Sequence, residues 1–199
     1  MSTQLILVRH GLPHRVTVAD GTPDPALTDQ GLAQAAALAA ALADEPITAV
    51  YASTLRRAAE TARPLADRLG LPVRPDPDLV EITLGETAYV PFGQNRRTAG
   101  DQEVAREWAR RLAEPDGVRR IAEFRERVCG RLAGIAAAHP DETVAVACHG
   151  GVISAYLTDV LGLADVFTFS FEYTGFSRVL IGDTGRRRVR SVNEHQHVG

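Results

Sequence analysis

The sequence predicts an α/β fold on a mostly parallel sheet, and three observations carry that prediction. Short β-rich apolar runs alternate along the chain with longer helical ones. Four consecutive apolar residues, Leu5 to Val8, suit a strand buried on both faces of a parallel sheet, yet they end abruptly in Arg9, His10 and Gly11. The stretch "ETVAVACHGG" repeats that design, with an apolar run, then His149, then glycine. In open α/β sheets ligands collect outside the carboxyl ends of the strands, so both ends mark a site.

Each element follows in order. After the first strand, "ADGTPDPALT" is a loop of turn formers, and Thr28 or Asp29 caps a helix through about Leu42, dense in alanine and leucine. "ITAVYAS" reads as the second strand. A helix runs from about Leu55 to Leu69, stopped by Gly70, with Pro64 inside it expected to kink or loosen it. "LPVRPDPDLVEI" gives a short strand and an extended loop. From Thr87 to about Val118 the strand signal disappears while Gly, Pro, Arg and Trp108 accumulate, which predicts an irregular segment plus a covering helix. A long helix from about Arg119 to Ala138 ends before Pro140. A further helix, "VISAYLTDVLG", follows "CHGG", and strands at about Ser177–Gly182 and Arg187–Val192 form a hairpin turning at "GDTG".

Composition excludes several functions. The formal net charge of −3 gives no basic face for nucleic acid or an anionic membrane. All 22 cationic side chains are arginine, so Schiff-base chemistry and a Walker-type lysine are excluded, and guanidinium alone can hold an anion permanently. Cys129 and Cys148 form neither a disulfide framework nor a CxxC pair, and the start shows no charged segment followed by a long apolar core. A cytoplasmic protein is expected, of a length that suits one domain, residues 1–199, with an inserted cap.

Two strands thus deliver His10 and His149 at their carboxyl ends, and "STLRRAAETA" puts Arg57 near the start of a helix, a position that already favours an anion. Two guanidiniums, two imidazoles and a helix terminus suit a phosphoryl group, which arginine grips in a bidentate way.

The ordered set "RHG" (Arg9 to Gly11), "LTDQG" (Leu27 to Gly31), "STLRRAAETA" (Ser53 to Ala62), "LVEITLGE" (Leu79 to Glu86) and "CHGG" (Cys148 to Gly151) resembles the histidine phosphatase superfamily, in the branch that includes cofactor-dependent phosphoglycerate mutase. The resemblance implies a three-layer sandwich, with a mostly parallel central sheet flanked by helices and a small cap at about 87–118. It implies that His10 is the nucleophile, that Arg9, Arg57 and His149 bind the phosphate, that His149 is also catalytic, and that Glu81 is the general acid and base. No metal or other cofactor is implied. The expected partner is a small-molecule phosphomonoester, with a homodimer possible.

Departures from the family pattern are equally specific. Leu12, Pro13 and Val16 stand where many members carry Glu, Ser and Asn, which leaves His14 or Arg15 as substitutes for a lost phosphate contact. Thr87, Ala88 and Tyr89 replace an aromatic-glutamate-glycine continuation. Glu86 competes with Glu81, Arg56 with Arg57, and Cys148 beside His149 invites a cysteine-hydrolase reading against that of a buried structural thiol. Ser53 and Thr28 read as turn and cap residues, and His195 with His197 as an exposed pair or a metal site. Arg96, Arg97, Tyr89 and Trp108 are candidates for lining a substrate pocket. The leading function is a metal-independent phosphatase acting through a phosphohistidine; a bisphosphate-dependent mutase and a non-catalytic phosphoester binder are the alternatives.

Overall fold

A computed structural model describes residues 2–91 and 99–198. Its central sheet takes β1 (Ser2–Arg9), β3 (Ile47–Ser53), β4 (Val73–Asp76), β6 (Thr143–Cys148), β7 (Phe176–Gly182) and β8 (Arg187–Glu194), in the order β4-β3-β6-β1-β7-β8. The first four positions are parallel, while β7 and β8 run antiparallel as the expected hairpin. The helices are α1 (Asp29–Ala41), α2 (Arg56–Leu69), α3 (Ala99–Ala113), α4 (Pro115–Ala138) and α5 (Gly150–Leu161). Two further strands, β2 (Val16–Thr17) and β5 (Ala88–Tyr89), pair with each other alone.

The apolar runs are continuous because both faces of the sheet are covered. Leu5 and Leu7 of β1 join Val144 and Val146 in a core with Val128, Leu132 and Ile153 of α4 and α5. Ile6 and Val8 face the other way, with Ala145 and Ala147, onto Leu38 and Leu65 of α1 and α2. The strand period of two sends alternate residues to opposite layers, which gives three layers.

Local chemistry sets the helix ends. The Thr28 hydroxyl accepts from the Gly31 N–H at 3.0 Å, and Gly70 closes α2 in the left-handed conformation. Helix α2 continues through Pro64. Two features differ from the sequence reading. Helix α4 starts at Pro115 rather than near Arg119, because proline suits a first helical turn and Asp116 pairs there with Arg119 and Arg120. The β2–β5 pair was not foreseen, since two residues carry no readable period. Among the described residues no helix is long and apolar enough to cross a membrane.

Candidate active site

The site is assembled at the carboxyl edge of the parallel strands. Arg9 ends β1, Ser53 ends β3, Cys148 ends β6 with His149 directly after it, and Arg57 sits in the first turn of α2. Thr61 binds two of these parts together: its hydroxyl accepts from the Gly11 N–H at 2.9 Å and donates to the Arg57 carbonyl at 2.7 Å. The residue after His10 must be glycine, because a Cβ at position 11 would lie 2.7 Å from the Gly31 carbonyl oxygen. Arg9, His10, Arg57, Glu81 and His149 all line one cavity of about 420 Å³, so the predicted set converges.

Each group is held in a defined state. His10 Nδ1 lies 2.8 Å from the Gly11 carbonyl oxygen, which as an acceptor fixes the proton on Nδ1 and leaves Nε2 with its lone pair. Burial, then the charges of Arg57 and Arg9, push the His10 pKa well below its ordinary 6.5, so the ring is neutral. His149 packs edgewise on it at 5.2 Å between ring centroids and is lowered by burial, Arg57, His10 and Arg9.

Ser53 controls the second imidazole. Its hydroxyl oxygen accepts from the Leu55 N–H at 3.3 Å and lies 2.9 Å from His149 Nε2, where the hydroxyl can donate. With Nε2 accepting, the His149 proton sits on Nδ1, a buried nitrogen without a hydrogen-bond partner among the described residues.

Both arginines sit over tyrosine rings. The Arg9 guanidinium carbon lies 3.9 Å from the Tyr173 ring centre and the side chain donates to the Phe171 carbonyl, while the guanidinium carbon of Arg57 lies 4.6 Å from the Tyr89 ring centre. Arg57 is 3% exposed, its Nε and Nη1 lack hydrogen-bond partners among the described residues, and the Asp24 carboxylate is 3.8 Å away. A buried cation this poorly matched calls for an anion with several acceptor oxygens.

Glu81 closes the opposite side. Its Oε2 accepts from the Gly151 N–H at 2.9 Å and its Oε1 from the Ile82 N–H at 3.0 Å, yet burial outweighs these bonds and raises its pKa above 4.5.

The other candidates separate clearly. Glu86 lines the cavity, with Oε2 accepting from Thr83 Oγ1 at 2.8 Å and the Leu84 N–H at 3.0 Å. Arg56 is exposed and pairs with Glu60 at 2.7 Å. His14 and Arg15 are exposed and do not line the cavity, so the suggested replacement of a phosphate contact finds no support there. Cys148 is buried in the core on the α4–α5 side, and burial pushes its thiol pKa up. His195 is exposed, and His197 stacks on Phe176 with Nε2 3.2 Å from Thr174 Oγ1. Among the described residues no group of three or more His, Cys, Asp or Glu side chains is placed to hold a metal ion. Tyr89 and Trp108 line the cavity as expected, whereas Arg96 and Arg97 lie outside the described residues.

The sequence reading passed over the loop after α5. Phe167, Phe169 and Phe171 line the cavity from there, and Tyr173 holds Arg9. Their spacing of two in "FTFSFEY" was the available signal, because an extended chain sends alternate residues to one side.

Known proteins share this architecture and sequence. The crystal structure of a phosphoserine phosphatase from Entamoeba histolytica, in complex with 3-phosphoglyceric acid, superposes with a TM-score of 0.74 at 22% identity, over 99% of this chain and 100% of that one. A glucosyl-3-phosphoglycerate phosphatase of Mycolicibacterium vanbaalenii is 31% identical over 168 residues, 80% of this chain and 75% of that protein. An uncharacterized Mycobacterium tuberculosis protein is 52% identical over 81 residues, which span 40% of this chain and 40% of that protein. A family model matches residues 5–195, and the chain therefore belongs to the histidine phosphatase superfamily, branch 1.

Proposed function

We propose that this protein is a metal-independent phosphatase that hydrolyses a small phosphomonoester through a phosphohistidine on His10. One observation carries the reading: a neutral, buried His10 with Nε2 unprotonated stands among Arg9, Arg57 and His149 in one cavity. Nε2 attacks phosphorus, the P–N bond forms, and the ester P–O bond breaks with the electron pair leaving on the alcohol oxygen. Arg9, Arg57 and the Nδ1–H of His149 bind the phosphoryl oxygens and stabilise their charge in the transition state. Glu81, whose raised pKa favours the protonated form, gives its proton to the departing oxygen. As a carboxylate it then takes a proton from water, which attacks phosphorus, breaks the P–N bond and releases inorganic phosphate. Ala88, Tyr89, Val90 and Trp108 line the cavity, which supports a capping role for the described part of the segment 87–118.

The test is hydrolysis of an aryl phosphate with chelator present, in wild type and His10→Ala, with trapping of acid-labile protein-bound phosphate. Chelator-resistant turnover and trapped phosphate, both lost in the variant, are expected. Turnover that survives in His10→Ala or stops with chelator overturns the mechanism, and dependence on a bisphosphate primer points to a mutase.

A further inference from the structure

We infer that the ester taken by this site carries an apolar, ring-bearing alcohol, and that alcohols bearing a carboxylate are disfavoured; the inference rests on the phosphatase reading above. The cavity lining has two chemically different parts. One is Arg9, His10, Arg57 and His149. A second is an apolar set that includes Trp108, Phe167, Phe169, Phe171, Ile82 and Val90.

This wall is built rather than incidental. Trp108 meets Phe167 edge to face at 5.1 Å, and Phe169 tilts on Phe171 at 6.3 Å. The helix that carries Trp108 is tied down one turn later, where Arg111 donates to the Leu84 carbonyl. On the other side, the Ser154 hydroxyl accepts from the Phe169 N–H at 3.2 Å and anchors the aromatic loop to α5.

Charge points the same way. Among the described residues that line the cavity, the permanent cations are Arg9 and Arg57, both committed to the phosphate end. The Glu86 carboxylate also lines the cavity, held by Thr83 and the Leu84 N–H. A carboxylate on the leaving alcohol would lose its water there, meet no further cation among the described lining residues and share the cavity with Glu86. An apolar ring would instead exchange water for aromatic surface.

The experiment compares esters of primary alcohols, so that leaving-group chemistry is similar: 2-phenylethyl phosphate against glycerol phosphate, phosphoserine and 2-phosphoglycolate. We expect kcat/KM to favour the phenylethyl ester by about tenfold or more, a difference typical of burying one ring in an apolar pocket. Trp108→Ala and Phe169→Ala should each narrow that ratio by roughly threefold to tenfold, with Trp108→Phe restoring most of it. Equal or faster turnover of phosphoserine, or variants that slow every ester alike, overturns the inference. Calorimetric titration of the same esters into His10→Ala ranks their binding without turnover. A retained preference with an inactive wild type defeats the phosphatase reading alone, and equal binding defeats the preference.

Discussion

The Glu81 carboxylate occupies the space that a side chain at Gly151 would need: a Cβ there would lie 2.3 Å from Glu81 Oε1, while the Gly151 N–H donates to Oε2 at 2.9 Å. One backbone position thus both admits and holds the proposed acid. Gly151→Ala should displace the carboxylate and lower kcat/KM on alkyl phosphates by roughly 100-fold, the lower range for a lost general acid. Nitrophenyl phosphate, whose leaving group departs without a proton, should lose much less. Equal losses on both ester types would show that Glu81 does not protonate the leaving group.

The arginines are predicted to act through their planes. Arg57→Lys keeps the charge but loses the fork and the stacking on Tyr89, so kcat should fall on the order of 100-fold. Tyr89→Leu should cost about tenfold or less, the scale of a cation–π contact. Steady-state kinetics on one ester decides both.

Ser53→Ala removes the hydroxyl beside His149 Nε2, whose donation there would hold the ring in its Nδ1–H tautomer. The expected result is a roughly tenfold loss in kcat with a nearly unchanged Tm, about the worth of one hydrogen bond to a catalytic group. Nitrogen-detected NMR of His149 should show the proton shared between the two ring nitrogens in the variant.

The pH dependence has a definite sign. Attack requires neutral His10, whose pKa lies well below 6.5, so kcat/KM should rise with pH through that lowered value. It should fall as Glu81 loses its proton at a pKa raised above 4.5. Glu81→Gln should abolish the falling limb and leave the rising one.

Stability follows the same groups. Folded His10 and His149 bind a proton only well below 6.5, whereas in the unfolded chain they titrate near 6.5. Stability is therefore full above about 6.5 and is lost as pH falls from there toward the lowered values. Glu81 acts with the opposite sign: its raised pKa stabilises at low pH, and that contribution fades as pH climbs through the raised value. Tm should fall with acidification below 6.5 in phosphate-free buffer, and the slope should be shallower in His149→Gln. A slope identical to wild type would rule out His149 as a source.

What the chain states by itself is local. Apolar runs ending in "RHG" and "CHGG", the Thr28 cap, the Gly70 stop and the arginine after Arg56 are all readable, because each depends on residues within a turn or two of itself. The strands, most helices, Arg9, His10, Arg57 and His149 were legible on that basis, Glu81 came from the family resemblance, and all five line the same cavity. The tertiary structure alone decided what surrounds them: Tyr173 under Arg9, Tyr89 over Arg57, Ser53 on His149 and Gly151 against Glu81. These partners are 32 to 164 positions apart in the chain. No periodicity or propensity extends that far, so only the packing of layers and loops brings them together.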